Sequence, residues 1–215
     1  MMIRNLVFDV DGTLYPVSDG VEDESEALCV KFFEEKLNFS HEEALKKINQ
    51  MRQQYYYEAE GMEETFGVSQ EEYLEYVCAA KAERVRPNIE LQNLLRALPY
   101  RKFILTDATK LHALDILQKL QVDNKVFEKI FDAKDGEFAY KYREAMFEKF
   151  FEVCQVVPEE AIFFDDKLSC LKQAKLLGMK TVLIAEQSTE KTDDVDWMFP
   201  KINDALKSIF SNGNH

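Results

Sequence analysis

The chain has 215 residues, of which 46% are hydrophobic and 31% are charged, and its formal net charge is -13. This length suffices for one large domain, or for one domain with a smaller insert. The negative charge disfavours binding of a nucleic acid polymer through a basic face, and no apolar run approaches the roughly 20 residues of a membrane helix. The four cysteines are widely spaced without a Cys-x-x-Cys pair, and aspartates interrupt the first apolar run too early for a signal peptide, so we expect a protein of the reducing cytoplasm without membrane contact.

The first predicted strand ends in two aspartates that are one residue apart. The apolar run 6–8 is followed directly by Asp9, Asp11 and Thr13 in an Asp-x-Asp-x-Thr pattern. Burying unpaired carboxylates this close together costs on the order of several kcal/mol, because like charges repel and both groups lose their hydration. A fold accepts that cost where it needs a cation or a carboxylate nucleophile, so both aspartates are candidate site residues.

Residues 17–86 contain no convincing strand and are predicted to form a helical insert. Two capping boxes, Ser40-His41-Glu42-Glu43 and Ser69-Gln70-Glu71-Glu72, each precede a helix. Pro87 marks the return to the core, because proline rarely continues a helix and restricts the residue before it. We expect the aromatic residues of the insert to pack inside it, the alternative being a stacking surface for a nucleobase. They are Tyr55, Tyr56, Tyr57, Phe66, Tyr73 and Tyr76.

After residue 87, short apolar runs alternate with helix-patterned segments. The runs are 103–105, 130–131, 161–164 and 181–184, and the predicted helices are 111–120, 142–153 and 168–177. Continuous apolar strands that alternate with helices predict an α/β fold with a parallel, doubly wound (Rossmann-like) sheet that is covered on both faces. Ligands of such sheets bind at the carboxyl ends of the strands.

Polar residues stand at or near those strand ends. They are Asp9 and Asp11 after the first strand, Thr106 after the second, Lys141 at the start of the helix that follows the third, and Asp165 and Asp166 after the fourth. A parallel sheet brings them to one edge. Several carboxylates in one crevice need a divalent cation, and oxygen ligands favour Mg²⁺. A threonine hydroxyl and a lysine ammonium suit a phosphate group.

Some of these positions have a structural alternative. We expect Asp107 either to contact the ligand beside Thr106 or to cap the helix that follows. Asp165 and Asp166 could likewise cap a helix, and Lys134 and Arg143 are rivals of Lys141. His112 lies in the predicted helix 111–120, where we expect it to be a core or surface residue.

Together these residues resemble the four motifs of the haloacid dehalogenase superfamily of phosphohydrolases. The motifs occur in the expected order: Asp9-Val10-Asp11-Gly12-Thr13, Leu105-Thr106-Asp107-Ala108, Lys141 and Phe164-Asp165-Asp166. The resemblance covers essentially the whole chain. It implies a Rossmann-like core of residues 1–16 and 87–215 with an inserted small α-helical cap of residues 17–86.

Within the superfamily, the chain is similar to the pyrimidine 5′-nucleotidase-like branch. The similarity lies in residues 9–16, 86–95 and 106–113. The chain departs from the branch at Asp107, where the branch has asparagine, at Tyr142, where it has proline, and around the fourth motif, at Lys167 and Cys170. The resemblance implies a small phosphorylated metabolite as substrate, with a nucleoside 5′-monophosphate first and a sugar phosphate as the alternative.

The resemblance also implies roles for the site residues. Asp9 is expected to attack phosphorus and form an aspartyl phosphate, and Asp11 to protonate the leaving alcohol and then activate water. The expected Mg²⁺ ligands are Asp9, the backbone carbonyl of Asp11, Asp165 and Asp166, with Asp166 as the first choice for a direct ligand. The expected phosphate-binding residues are Thr106, Asp107 and Lys141.

Two rival functions stay open. A hydrolytic dehalogenase would use Asp9 to attack carbon, but that chemistry needs neither a metal cluster nor a general acid. A non-catalytic regulatory protein would bind Mg²⁺ and phosphate without turnover, which the intact Asp9 and Asp11 disfavour. The sequence therefore predicts a Mg²⁺-dependent phosphomonoesterase.

Overall fold

The computed structural model describes residues 2–79, 83–187 and 192–210. The chain divides into two compact units, Met1–Asp19 with Ala82–His215 and Gly20–Lys81. We call the first the core unit and the second the insert. Among the described helices, none combines the length and the apolar character needed to cross a membrane.

The described part of the core unit contains a six-stranded sheet in which all neighbouring strands run parallel. The order across the sheet is β3-β2-β1-β4-β5-β6. The strands are β1 (Asn5–Phe8), β2 (Arg101–Leu105), β3 (Lys129–Phe131), β4 (Ala161–Asp165), β5 (Lys180–Ile184) and β6 (Trp197–Phe199). In chain order, β2 and β3 follow on one side of β1, and after β4, which pairs with the other side of β1, β5 and β6 continue outwards. The β1–β4 boundary is therefore the switch point at which such sheets bind ligands.

Helices occur in both units. The insert contains α1 (Val21–Leu37), α2 (His41–Gln54), α3 (Met62–Phe66) and α4 (Gln70–Val77). The core unit contains α5 (Ile89–Ala97), α6 (Lys110–Leu120), α7 (Glu144–Cys154), α8 (Leu168–Leu176) and α9 (Ile202–Phe210). Parallel strands alternating with helices in the core unit confirm the predicted doubly wound α/β fold.

The two central strands are buried along their whole length. Every residue of β1 and β4 is buried, and the rings of Phe8 and Phe164, which pair in register, stack with their centroids 4.8 Å apart. Phe147 of α7 meets Phe163 edge-on at 5.5 Å. Burying one such side chain stabilises the fold by about 1.5–3 kcal/mol, which is why these strands read as continuous apolar runs.

The insert has its own caps and its own aromatic core. Ser40 forms the expected capping box with Glu43 at the start of α2, and Ser69 caps α4 by accepting a hydrogen bond from the Glu72 N–H at 3.1 Å. Inside the insert, Phe32 packs edge-on against Tyr73 at 5.0 Å and Tyr76 at 5.2 Å, and Phe33 packs against Phe66 at 5.5 Å. These three partners serve internal packing, as the sequence indicates.

Several elements differ from the sequence-based expectation. The helix α7 begins at Glu144, so Lys141 lies in the turn before the helix and not at its start. The strand β6 was not predicted; it is a short apolar run of three residues, all only partly buried, at the edge of the sheet. The helices α5 and α9 were not predicted either.

Candidate active site

The carboxyl ends of β1, β2 and β4 position most of the predicted site residues. Asp9 directly follows β1, Thr106 directly follows β2, and Asp165 is the last residue of β4. The Asp9 N–H continues the ladder by donating to the Phe164 carbonyl at 2.9 Å. All these residues belong to the core unit.

The loop after β1 turns back sharply at Gly12. The Leu14 N–H donates to the Val10 carbonyl at 2.9 Å, and Gly12 has a φ of 72°, a left-handed conformation that glycine adopts without strain. A Cβ atom added to Gly12 would lie 2.8 Å from Oδ2 of Asp166. Glycine is therefore required here both by the turn and by the close approach of Asp166.

Two donors hold the buried carboxylate of Asp9. The Nζ atom of Lys141 donates to Oδ1 at 2.5 Å, and the Thr13 hydroxyl donates to Oδ2 at 3.2 Å. Both oxygens are thus oriented by neighbours at the same end of the sheet. This order is what a nucleophile requires, since its attack angle must be defined before the substrate arrives.

Lys141 is a buried cation between two carboxylates. Its Nζ atom also donates to Oδ2 of Asp165 at 2.7 Å, and only 2% of the residue is exposed. Burial acts to lower the pKa of Lys141, but the charges of Asp165 and Asp9 outweigh burial and hold the pKa well above its ordinary value. The ammonium group therefore stays charged and offers a phosphate group a positive partner.

The segment before Lys141 has an unusual backbone. Glu137, Phe138 and Tyr140 have φ values of 52°, 59° and 56°, in a region that few non-glycine residues adopt. The Tyr140 side chain is buried, and the Lys141 N–H donates to Oδ1 of Asp107 at 2.8 Å. Packing and this hydrogen bond hold a strained turn that directs Lys141 to the strand ends.

Asp9, Asp165 and Asp166 form a compact acidic cluster. One oxygen from each lies within 4.8 Å of the others. Asp165 accepts hydrogen bonds on both oxygens, from Nζ of Lys141 and from the Lys167 N–H, each at 2.7 Å. The buried Oδ1 of Asp166, in contrast, has no hydrogen-bond partner within the described residues.

This cluster fits a divalent cation. Burial, together with the charges of Asp165 and Asp9, raises the pKa of Asp166 above its ordinary value. The negative charge of the three aspartates is therefore not fully balanced by nearby cations of the protein. A buried carboxylate oxygen without a partner is a free ligand position. The donors are all oxygens, which is the ligand type that Mg²⁺ prefers.

Asp11 accepts two hydrogen bonds on a single oxygen. Its Oδ1 atom lies 2.7 Å from Nε2 of His112 and 2.5 Å from the Tyr15 hydroxyl. Burial acts to raise the pKa of Asp11, but the charge of His112 and the hydrogen bonds from His112 and Tyr15 outweigh it, so the pKa lies below its ordinary value. The Asp11 side chain keeps 23% of its surface exposed, so a ligand can reach it.

Thr106 is buried at the end of β2. Its Oγ1 atom accepts a hydrogen bond from the Ala108 N–H at 3.1 Å, which leaves the hydroxyl hydrogen to be donated to a ligand. Asp107, the next residue, does not cap the following helix. Thr109 caps α6 by accepting from the His112 N–H at 3.3 Å, and Asp107 holds the Lys141 backbone instead.

The sequence matches the family model of haloacid dehalogenase-like hydrolases over residues 3–188. The chain belongs to this family. No curated protein matches the chain at a significant level.

Solved structures of this hydrolase family share the fold over nearly the whole chain. A HAD phosphatase from Thermococcus onnurineus has a TM-score of 0.66 at 20% identity and covers 98% of each chain. The YfnB protein from Bacillus subtilis, bound to magnesium, has a TM-score of 0.63 at 18% identity and covers 97% of this chain and 99% of its own. L-2-haloacid dehalogenase from Xanthobacter autotrophicus has a TM-score of 0.64 at 17% identity and covers 99% and 100%.

The hydrolase site contains residues that sequence reasoning missed. Asp9, Lys141 and Asp165 are in direct contact, with Asp9 and Asp165 at strand ends and Lys141 in the turn before α7. His112 is buried, as one of the two expectations has it, but its ring also contacts Asp11, which the sequence did not indicate. The signal that could have found it is its place in the first turn of α6, the helix that starts just beyond the carboxyl end of β2.

Proposed function

We propose that this hydrolase is a Mg²⁺-dependent phosphomonoesterase that acts through an aspartyl-phosphate intermediate. The observation that carries the proposal is the buried cluster of Asp9, Asp165 and Asp166 with Lys141 beside it. Three carboxylates and one ammonium group leave an excess of negative charge that a divalent cation balances. A metal and a lysine together then favour a phosphate dianion at the same place.

In the first half of the reaction, an oxygen of Asp9 forms a bond to phosphorus while the bond from phosphorus to the leaving oxygen breaks. Lys141 balances negative charge on Asp9 and on the phosphate group. The Thr106 hydroxyl donates a hydrogen bond to a phosphate oxygen. Asp11 transfers its proton to the leaving oxygen, so that the product departs as a neutral alcohol.

In the second half, water attacks the phosphorus of the aspartyl phosphate and the bond to Asp9 breaks. The proton of the attacking water passes to Asp11, which restores both side chains and releases inorganic phosphate. The lowered pKa of Asp11 supplies the carboxylate that this half requires. A phosphate dianion bound nearby acts in the opposite direction and favours the protonated form that the first half requires.

Asp9, Asp166 and the backbone carbonyl of Asp11 are the residues that would hold Mg²⁺. Both oxygens of Asp165 accept protein hydrogen bonds, from Nζ of Lys141 and from the Lys167 N–H. Asp165 would therefore orient these neighbours of the metal site. When bound, Mg²⁺ shields the attacking carboxylate from the negative charge of the phosphate.

We propose a nucleoside 5′-monophosphate as the first substrate candidate and a sugar phosphate as the second. The support is the similarity of residues 86–95 and 106–113 to the pyrimidine 5′-nucleotidase-like branch. The insert would act as the cap that sets specificity. A panel of phosphomonoesters ranked by kcat/KM tests this assignment, and pyrimidine nucleotides at the bottom of the ranking would contradict it.

A hydrolytic dehalogenase is the second candidate, because L-2-haloacid dehalogenase is among the proteins that share this fold. Dehalogenation requires neither a metal ligand nor a general acid. It therefore does not explain the carboxylate oxygen of Asp166 that has no hydrogen-bond partner within the described residues, or the hydrogen-bonded carboxyl group of Asp11. It predicts halide release from 2-chloropropionate without any metal. A non-catalytic regulator that binds Mg²⁺ and phosphate predicts binding of both with no product.

Hydrolysis of p-nitrophenyl phosphate by metal-stripped protein, with and without added Mg²⁺, separates the phosphomonoesterase from the other two functions, and halide release from 2-chloropropionate separates those two from each other. We expect p-nitrophenol release that requires Mg²⁺ and is lost in Asp9→Asn. Asp204→Asn, at an exposed position of α9, is the control and retains activity. No release from the wild type, or equal release from Asp9→Asn, would contradict the proposed mechanism.

A further inference from the structure

The two hydrogen bonds to Asp11 converge on the same atom. Oδ1 lies 2.7 Å from Nε2 of His112 and 2.5 Å from the Tyr15 hydroxyl. No hydrogen bond within the described residues reaches Oδ2 of Asp11. The carboxyl group is therefore fixed from one side, and its second oxygen is the one left for a ligand.

Both donors are held firmly. His112 is 5% exposed and Tyr15 is 3% exposed. The histidine stands in the first turn of α6, whose N-terminus is capped by Thr109. Neither ring can leave Asp11 without breaking the packing around it, so the two contacts define one orientation of the Asp11 carboxyl group.

The chemistry of these contacts is compatible with both protonation states of Asp11. A carboxylate oxygen only accepts, so Nε2 of His112 carries a hydrogen and donates it, as does the Tyr15 hydroxyl. A protonated Asp11 that carries its hydrogen on Oδ2 still has Oδ1 as an acceptor. The two hydrogen bonds can thus persist while a proton leaves and returns on the other oxygen.

We propose that His112 and Tyr15 are positioning residues that hold Oδ1 of Asp11, so that Oδ2 transfers the proton to the leaving oxygen and receives it back from water. This inference rests on the proposed phosphomonoesterase function. It assigns the proton transfer to one named atom, and it gives a role to a histidine that does not itself touch the reacting atoms.

The dependence of rate on the leaving group tests the proposal. Phenyl phosphate and p-nitrophenyl phosphate have nearly the same shape, but phenolate is the more basic leaving group and needs the proton more. Their kcat/KM values report steps up to release of the phenol, so hydrolysis of the aspartyl phosphate does not enter the comparison. General acid catalysis accelerates a reaction by about 10²–10⁴-fold, and a misplaced acid loses part of this acceleration.

The variants are His112→Leu, Tyr15→Phe and His112→Gln. For the first two, we expect kcat/KM for phenyl phosphate to fall at least about tenfold more than kcat/KM for p-nitrophenyl phosphate. In His112→Gln the side-chain amide can donate from nearly the same place, so the ratio of the two substrates should return towards that of the wild type. The same ratio in His112→Gln and His112→Leu would overturn the role of the histidine hydrogen bond.

Tyr73→Phe is the matched control, because Tyr73 is also buried and donates its hydroxyl to a carboxylate, Glu58 of the insert, at 3.0 Å. This variant should leave the substrate ratio unchanged, and an equal change there would overturn the proposal. So would a uniform loss on both substrates, or no loss, in His112→Leu and Tyr15→Phe. If the wild type hydrolyses neither substrate, the proposed function itself fails, and this inference fails with it.

Discussion

The Nζ atom of Lys141 lies 2.5 Å from Oδ1 of Asp9, although 132 residues separate the two in the sequence. The same ammonium group lies 2.7 Å from Oδ2 of Asp165. One cation from the segment after β3 therefore joins the ends of β1 and β4 at the switch point of the sheet. The buried carboxylates of the site depend on this lysine for charge compensation within the protein.

Replacing Lys141 by methionine keeps a long side chain and removes the charge. We expect the free energy of unfolding of the metal-free protein to fall by about 3–5 kcal/mol, because Asp9 and Asp165 are left buried without their cation. Urea denaturation at neutral pH measures the loss. Lys129→Met is the control, since Lys129 pairs with Asp135 at 3.3 Å but is 35% exposed, and about 1 kcal/mol or less is expected there. Equal stability of wild type and Lys141→Met would contradict the buried ion pair.

Asp166→Asn is expected to stabilise the metal-free protein at neutral pH. Burial and the charge of Asp165 raise the pKa of Asp166 in the folded state, so the folded protein loses stability as the pH rises through that raised pKa. The asparagine carries no charge and escapes this loss. Urea denaturation in the presence of a chelator, at about pH 5 and about pH 7, should show a larger advantage of the variant at the higher pH.

The same variant tests the metal site without any activity assay. Mg²⁺ at about 100 times its dissociation constant should stabilise the wild type by about 2.7 kcal/mol. Asp166→Asn replaces the charged carboxylate with a neutral amide, a weaker ligand for Mg²⁺, and should lose most of that gain, whereas Asp204→Asn should keep it. If Mg²⁺ raised the Tm of Asp166→Asn as much as that of the wild type, Asp166 would not be a ligand.

Gly12 and Gly67 offer a matched pair of glycines with φ values of 72° and 69°. Alanine at either position costs about 1–2 kcal/mol of backbone strain. The new Cβ would lie 2.8 Å from Oδ2 of Asp166 at position 12 but would meet nothing within 4 Å at position 67. We expect Gly12→Ala to weaken Mg²⁺-dependent hydrolysis by at least about tenfold and Gly67→Ala to leave it unchanged. Full activity of Gly12→Ala would show that the close approach of Asp166 does not matter.

Asp196 should give the core unit a pH-dependent contribution to stability. Burial acts to raise its pKa, but hydrogen bonds from Lys175 and from the Thr181 N–H outweigh burial and lower it. A lowered pKa means that this stability is present above about pH 4 and is lost as the pH falls through the folded-state pKa.

Asp196→Asn is therefore expected to cost about 1–3 kcal/mol at neutral pH and less in acid. Urea denaturation at about pH 7 and about pH 3 measures the difference, with Asp204→Asn as the exposed control, for which we expect about 0.5 kcal/mol or less. An equal loss at both pH values would show that the charge of Asp196 is not what stabilises the contact with Lys175.

The sheet was predictable because its central strands are buried on both faces. Such strands have no polar face, so β4 appears in the sequence as the uninterrupted apolar run 161–164. The edge strand β6 has only partly buried residues, and its pairing depends on β5, which no local pattern encodes. The start of α7 was misplaced because the turn 137–140 adopts left-handed backbone conformations that its residue types do not favour.

The site was predictable where residues directly follow strands, as Asp9 and Thr106 do. The sequence did not predict which of Asp165 and Asp166 keeps an oxygen without a hydrogen bond. That depends on which carboxylate oxygens accept hydrogen bonds from Lys141 and Lys167. His112 was not predicted either, because the apolar pattern of its helix does not mark it; only its place in the first turn of α6 could have indicated a site residue. Its contact with Asp11 exists only because α6 begins beside the loop after β1.

The central claim is that Asp9 is the nucleophile for a phosphate group, and a crystal structure with Mg²⁺ and beryllium fluoride tests it most directly. Beryllium fluoride mimics a phosphoryl group and bonds to a carboxylate oxygen that is poised to be phosphorylated. We predict the beryllium atom on a carboxylate oxygen of Asp9, and no such bond in Asp9→Asn. Beryllium fluoride bound to another residue, with Asp9 unmodified, would contradict the account.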